Sequence, residues 1–431
     1  MVRYFNRYIT AKLISIFKKS QIIILIGSRQ VGKTYISKNY LENYINDRAK
    51  GLYYNFENSA DLEAWQSIEH LEKHLAQANL TLNDKLFFVI DEFHYLKNAT
   101  KMFKLIYDVY PNIKILATGS SSIEIQKHLK ESLAGRKKVY NVYPLSFEEY
   151  LQAIKKDELW NKLDSRNALQ AQINNLNENY LSDYLLFGGY PRIADNYQGN
   201  KETKKEELYE IYSSYIQKDI KSLIGGENIL AYNNLVKLLA AQIGNLLNIN
   251  EISETLKMPR YEIEKYLTIL EQTHIIKRAL PYFKNKRKEI TKMPKIYFTD
   301  LGLVNMISAN FGDLQTRSNL GAIIENYCFN QLQYFVSVSD QVFFWRTLEG
   351  AEVDFVWQRD DGIIPIEIKW SSFKEPKIPT GLKNFCGKFG NIKEAWVITK
   401  DYAGSKTVNK IKFYFIPAVL LIKKIKPMAA N

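Results

Sequence analysis

The sequence predicts an α/β protein built around a doubly wound parallel sheet, followed by a helical stretch and a second α/β region. Three observations carry that expectation. Five apolar residues, Ile22 to Ile26, run straight into Gly27-Ser28-Arg29-Gln30-Val31-Gly32-Lys33-Thr34. Another apolar run, 85–92, ends in the adjacent carboxylates Asp91 and Glu92. Around them short apolar runs alternate with helical periodicity, the pattern of parallel strands buried on both faces.

The first run is G-x-x-x-x-G-K-T in the context of strand, loop and helix that this motif requires. Gly27 and Gly32 are expected to supply the backbone angles that turn successive N–H groups inward as a nest for a β-phosphate. Ser28, Arg29, Gln30 and Val31 complete the loop. Lys33 can reach the β- and γ-phosphates, and Thr34 offers a hydroxyl to Mg²⁺. A helix beginning at Lys33 and reaching about residue 46 points its positive dipole end at the same anion. The loop predicts binding of ATP or GTP.

Taken in order, residues 4–19 have amphipathic helical spacing and lead into the loop strand. Residues 51–57 read as a second strand, 63–78 as a helix, and 85–92 as a third strand. Asp91, at the carboxyl end of that strand, can bind Mg²⁺ through water, leaving Glu92 to orient and polarise an attacking water. A helix at 100–109 precedes a fourth strand, 113–121, which ends in Thr118, Ser120 and Ser121. Those hydroxyls sense the γ-phosphate or the water, or cap the next helix. A fifth strand is expected at 139–145.

GSRQVGKT, FFVIDEFHYL, ILATGSSS, LAGR followed by PLSFEEY, and FGGYP together resemble a family of prokaryotic AAA-type ATPases common in archaea. Its members join an ATPase core to a carboxyl-terminal domain of unknown function that resembles a nuclease. The resemblance extends over nearly the whole chain. It implies the additional-strand AAA sheet, with the strand of Thr118 lying between the loop strand and the Asp91 strand. It implies ATP rather than GTP, with Mg²⁺. It also suggests Arg136 as a phosphate-sensing arginine, in cis or on a neighbouring subunit's nucleotide; the alternative is pairing with a surface carboxylate. The expected domains are an AAA-type P-loop core (1–150), a helical lid (151–228), a winged helix (229–300) and a nuclease-like domain (301–431).

In the middle region helical periodicity is broken at Gly188-Gly189-Tyr190-Pro191, which reads as a turn. Helices at 230–242, 250–257 and 259–272, then strands at 275–283 and 295–300, make a winged helix. Its connecting segment, KNKRKEITK at 284–292, is basic, as a wing gripping phosphates would be. The third helix instead carries Glu262, Glu264 and Glu271, which a DNA groove would repel. Backbone contact and protein docking both remain open.

Beyond residue 300 the informative feature is a hairpin: AEVDFVW at 351–357, a turn at Arg359-Asp360-Asp361-Gly362, and a return strand to Trp370. Glu367 and Lys369 share one face of the return strand. Asp354 lies on its partner, and a helix at about 319–331 supplies Glu325. This order resembles the PD-(D/E)xK, restriction-endonuclease-like fold. There the Asp and Glu hold a divalent metal and the Lys orients or helps deprotonate a water. The resemblance implies Asp354 and Glu367 as metal ligands, with Glu325 and Lys369 completing the site. Val353 stands where the motif's proline would be. A nuclease-like scaffold that binds without cutting is the alternative.

Composition sets outer bounds. The chain has 431 residues, 46% hydrophobic and 24% charged, enough for several globular cores. Its net charge of +13 suits a polyanion such as DNA, or follows from an AT-rich genome's lysine usage. The two cysteines, Cys328 and Cys386, exclude a disulfide framework and a cysteine zinc site. His70 and His74 read as one exposed helix face. The longest apolar run, 413–422, contains Pro417 and is too short for a membrane span. The expectation is a cytoplasmic protein whose partners are ATP, DNA, and further copies of itself or another protein, without a membrane.

Overall fold

The computed structural model describes residues 7–17, 20–44, 49–120, 133, 135–163, 170–283, 293–337 and 339–429. The chain divides into two compact units, Met1–Pro144 with Gln272–His274, and Leu145–Glu271 with Ile275–Asn431.

The first unit is a five-stranded sheet with helices between its strands. Strands β1 (Ile22–Gly27), β2 (Lys50–Asn55), β3 (Leu86–Asp91), β4 (Lys114–Ser120) and β5 (Lys137–Asn141) lie in the order β2-β3-β4-β1-β5. Every pairing is parallel. The strand of Thr118 thus sits between the loop strand and the Asp91 strand, the order the family resemblance implies. β1 and β3 are buried at every residue, as unbroken apolar runs in a central parallel strand should be. β5, at an edge, exposes Lys138 and Val139.

One expected helix becomes two. Residues 63–78 read as continuous, but Ser59–Ala64 and Ile68–Ala76 are separate helices. Asn58 caps the first through Ala60 N, and Ser67 caps the second through His70 N. A second capping residue so soon after the first stops one helix and restarts another at a new angle. Between them Trp65 is fully buried, edge-on to Phe88 at 5.1 Å and Tyr54 at 5.4 Å.

Apart from Gln272–His274, the second unit holds what the sequence reads as lid, winged helix and carboxyl-terminal domain. Its first part is helical and includes Phe147–Ala153, closed by a Ser146/Glu149 capping box, Ser182–Phe187 and Lys201–Tyr215. The Gly188-Gly189 turn is present, with Gly188 at φ +79°. A Cβ on Gly188 would lie 2.2 Å from the Asp300 carboxylate, which accepts from Gly189 N at 2.7 Å and Leu303 N at 3.0 Å. Glycine is required there by both angle and space.

The segment expected to be a winged helix contains helices Ile229–Ala241, Ile249–Leu256 and Arg260–Gln272, followed by antiparallel β6 (Ile276–Ala279) and β7 (Lys295–Phe298). Leu246 forms an isolated antiparallel bridge to Lys295 beside this two-stranded sheet. The basic segment 284–292 lies outside the described residues.

The carboxyl-terminal sheet has six strands: β8 (Gln341–Arg346), β9 (Glu352–Arg359), β10 (Gly362–Lys369), β11 (Glu394–Thr399), β12 (Gly404–Val408) and β13 (Ile411–Pro417). Their order is β12-β13-β11-β10-β9-β8. The β8-β9-β10 meander is antiparallel, and β10, β11 and β13 run parallel. Helices Leu320–Gln333 and Thr380–Lys388 pack on it. The helix Leu301–Ile307 and strands β8 and β12 were not expected from the sequence.

Buried amides stitch this second unit together. Asn326 bonds both backbone groups of Phe298 on β7, at 2.8 and 2.7 Å. Gln331 accepts from Phe147 N at 3.0 Å, and Asn177 donates to Lys400 O at 2.9 Å. No described helix is long and apolar enough to cross a membrane. Both cysteines are free.

Candidate functional site

At the carboxyl ends of the parallel strands the loop passes from β1 into the helix Lys33–Tyr44. Its left-handed residues are Gln30 (φ +62°) and Gly32 (φ +93°). Gly27 is not left-handed, which corrects the expected reason for its presence. A Cβ there would lie 2.3 Å from Val142 O, because the chain leaving β5 crosses the loop and Val142 N donates to Ile26 O at 2.7 Å. Close approach, not backbone angle, demands this glycine. Lys33 Nζ donates to Gly27 O at 3.0 Å and Ser28 O at 2.9 Å, which keeps its ammonium at the loop where a phosphate would meet it.

Asp91 is clasped by hydroxyls. Oδ2 accepts from Thr34 at 2.7 Å and from Tyr53 at 3.0 Å, and Oδ1 accepts from Thr118. Thr34 and Asp91, the pair expected to serve Mg²⁺, are therefore already adjacent. Their oxygens fit a hard cation, which can take the place of the hydrogen bond between them.

Glu92 adopts a left-handed backbone (φ +53°), and its N–H donates to Thr118 Oγ1 at 3.3 Å. Its carboxylate Oε2 lies 3.1 Å from His94 Nδ1. Burial pushes the Glu92 carboxyl up, but His94 and the charges of Lys33 and Arg29 outweigh burial and hold it below its ordinary value. It is thus a carboxylate, able to accept a proton from water. A Cβ on Gly119 would come within 2.8 Å of the Phe93 ring, so β4 can pass this turn only with glycine.

Arg136 stands elsewhere. It precedes β5, and Lys137 is in register with Ile22, the first residue of β1, so it lies at the opposite end of the sheet from the loop. The strand's length, roughly 17 Å, intervenes. There Arg136 pairs with Asp108, Nε to Oδ1 at 2.8 Å. Its geometry is the surface-carboxylate alternative, and the cis sensing role is out of reach. The side chain of Ser120, and Ser121 entirely, lie outside the described residues.

The second cluster forms around β9 and β10. Asp354 Oδ2 accepts from Ile368 N at 2.7 Å. Burial, then the neighbouring charges of Glu325 and Glu367, push its carboxyl well above the usual range, opposed by Lys295. Glu367 is 6% exposed; burial raises its carboxyl against the pull of Lys369, whose Nζ lies 2.7 Å from Oε1. Its other oxygen, Oε2, is buried without a hydrogen-bond partner. Burial lowers the Lys369 ammonium, but Glu367 outweighs that and raises it, so Lys369 is suited to orient a water rather than deprotonate one.

Glu325 is held from a direction the sequence did not suggest. Oε1 accepts from Lys295 Nζ at 3.0 Å and Tyr297 OH at 2.5 Å, both on strand β7. Lys295 also reaches Glu352 Oε1 at 2.6 Å. All four members of the expected quartet therefore meet, joined by Lys295, Tyr297 and Glu352. Two crowded carboxyls, one with an oxygen left unpartnered, fit a divalent cation by charge. Among the described residues no group of three or more His, Cys, Asp or Glu converges as a metal cage, so water and a substrate oxygen would complete the shell.

Comparison with known proteins bears on the first site. Residues 19–151 match the family described as AAA domain. This part of the chain is an AAA-type P-loop ATPase domain. The AAA domain is followed by matches to two families described as domains of unknown function, DUF8612 over residues 178–314 and DUF4143 over 320–419. An uncharacterized protein of Haemophilus influenzae is 24% identical over 94% of this chain and 96% of its own length. The uncharacterized protein MJ1544 of Methanocaldococcus jannaschii is 29% identical over 81% of this chain and 74% of its own. Among solved structures, the Walker-type ATPase PABY2304 of Pyrococcus abyssi is similar at 18% identity, covering 70% of this chain and 96% of that one, with a TM-score of 0.47.

The residues that sequence reasoning missed are Tyr53, His94, Lys295, Tyr297 and Glu352. Tyr53 and His94 were findable, since β2 lies beside β3 and His94 follows Glu92 by two. Lys295 and Tyr297 alternate on one strand, but nothing local says that their face meets Glu325.

Proposed function

We propose that the chain is an ATP-hydrolysing machine that acts on nucleic acid, with a metal-dependent phosphodiester-cleaving site at Asp354, Glu367 and Lys369. At the AAA domain, Lys33 and the loop N–H groups would hold the phosphates. Thr34 and Asp91 would serve Mg²⁺, and Glu92 would orient the water. In the second unit the observation that carries the reading is the Asp354/Glu367 pair, both raised, with Glu367 Oε2 buried and unpartnered. A divalent ion there would supply Lewis acidity to a phosphodiester. Asp354 and Glu367 would hold it, and the half-exposed Lys369 would donate to the attacking water or a phosphate oxygen. The net +13 charge and the basic 284–292 segment support a polyanionic substrate.

The test is a panel of single-stranded, duplex and branched DNA with Mg²⁺ or Mn²⁺, with and without ATP. Cleavage by the parent chain that disappears in Asp354→Ala is expected; a panel left uncut would sink the nuclease reading.

A second reading, an ATP-dependent switch whose nuclease-like region only binds, draws on the helix Arg260–Gln272. Its Tyr261 is 74% exposed, and the helix carries Glu262 and Glu264, a surface better suited to protein than to a groove. Salt separates the two. If about six phosphates are contacted, DNA affinity falls roughly a thousandfold between about 50 and 200 mM salt, and a flat response favours the protein partner.

A further inference from the structure

The carboxylate site of the second unit contains a cation that the quartet does not count. Lys295 is 4% exposed, one of the few buried lysines, and its ammonium bridges Glu325 (3.0 Å) and Glu352 (2.6 Å). Its position is fixed by backbone on both sides: Leu246 bridges to Lys295, Gly244 N donates to Ile296 O at 3.0 Å, and Leu247 N donates to Pro294 O at 2.7 Å. Two residues on, Tyr297 is fully buried and donates to the same Glu325 oxygen at 2.5 Å. The lysine is therefore delivered by strand β7, not by the carboxyl-terminal sheet.

That sheet supplies more negative charge than it neutralises. With the helix Leu320–Gln333 it brings Glu325 and Glu367 near enough to Asp354 to act on its charge, and Glu352 shares Lys295 with Glu325, while the half-exposed Lys369 pairs with Glu367. Burying like charges together is costly, and although Lys369 pairs with Glu367 Oε1, the Oε2 atom remains buried without a hydrogen bond. One fixed ammonium relieves part of the repulsion and leaves room for one further cation at the Asp354/Glu367 end.

We propose that Lys295 is a built-in counter-cation that competes with a divalent ion for the charge of this site, so that metal entry loosens its hold on Glu325 and Glu352. The proposal rests on the metal-site reading given above. It makes strand β7 an element that sets metal affinity: whatever draws Lys295 away strengthens the metal, and whatever seats it weakens the metal.

Mn²⁺ binding to the full chain, followed by electron paramagnetic resonance without nucleotide, tests this. The site of interest is the binding that disappears in Asp354→Ala. Lys295→Met should bind Mn²⁺ there on the order of tenfold more tightly, since a unit charge is removed nearby, and Lys295→Arg should restore parental affinity. Equal affinity in Lys295→Met and parent overturns the counter-cation while leaving the metal site standing. Absence of any Asp354-dependent binding overturns the metal reading and this proposal with it. Because Lys295→Met strands two carboxylates and can weaken folding, the parent chain provides a second readout. Acetylation of Lys295, quantified by mass spectrometry, should rise several-fold when Mn²⁺ is added. Labelling indifferent to Mn²⁺ counts against the proposal.

Discussion

At the phosphate loop Asp91 is surrounded by neutral donors, Thr34, Tyr53 and Thr118. On the helix Leu320–Gln333 Glu325 is held instead by the ammonium of Lys295 and the phenol of Tyr297. Hydroxyls order a carboxylate without neutralising it, so Asp91 keeps its negative charge, which suits a metal cation. An ammonium removes much of that charge, so on the proposal above a metal at the second site would have to compete with the lysine. The AAA domain is built to accept its ligand as it stands. The second site is built with a competitor in place.

The sharpest way to break this contrast is at the first site. Lys33→Ala should abolish nucleotide binding and reduce hydrolysis by at least about a hundredfold, as loss of a phosphate-clamping charge does elsewhere. Undiminished ATPase activity would falsify the loop as the active centre. Glu92→Gln should lower turnover by about a hundredfold or more while ATP still binds, because only the water-orienting carboxylate is lost. Wild-type turnover would reassign that role, with a trapped-nucleotide assay separating binding from chemistry.

A stability measurement probes the second unit. Burial, partly opposed by the N–H groups of Gly189, Leu303 and Gly302, raises the Asp300 carboxyl from 3.8 to about 6. The folded chain therefore holds this proton more tightly than the unfolded chain. Native stability falls as pH rises from about 4 through 6, and the loss persists above. Asp300→Asn lacks this loss. Relative to the parent it should gain up to about 3 kcal/mol between about pH 4 and pH 8. Urea titrations followed by tryptophan fluorescence check it, since Trp160, Trp345, Trp357, Trp370 and Trp396 all report on this unit. A difference independent of pH would show that folding leaves the Asp300 carboxyl unshifted.

Smaller effects refine the comparison. Tyr53→Phe removes one of three hydroxyls from Asp91, so the Mg²⁺ concentration for half-maximal ATPase activity should change about threefold to tenfold with little effect on ATP affinity. No shift would make Tyr53 a packing residue. Arg136→Ala should leave ATPase activity unchanged in dilute protein, because its partner is a surface carboxylate. A loss appearing only as protein concentration rises would restore the arginine to a neighbouring subunit's nucleotide.

The first site was legible because its parts are local. Loop, lysine and threonine are contiguous, and a parallel sheet brings the ends of β1, β3 and β4 together whatever the side chains. What local pattern could not supply was the crossing of Val142 over Gly27, or the distance of Arg136 from the loop, which depends on where β5 starts. The hairpin carrying Asp354, Glu367 and Lys369 was readable from alternation. Lys295 was not, because its placement depends on how β7 meets the helix Leu320–Gln333, through Asn326. Segments read as three domains fall largely in one compact unit for the same reason.

That sharing limits how the chain can be divided. A fragment beginning at residue 301 would discard β7, leaving the Asn326 amide without Phe298 and Glu325 without its lysine and tyrosine. A fragment running from residue 145 onward keeps these partners. The same constraint applies to recombination between relatives: exchange of the carboxyl-terminal sheet alone would confront Glu325 with a foreign strand. Strand β7 and the carboxyl-terminal sheet with its helix Leu320–Gln333 should therefore be inherited as one block, with Lys295 and Glu325 changing together or not at all.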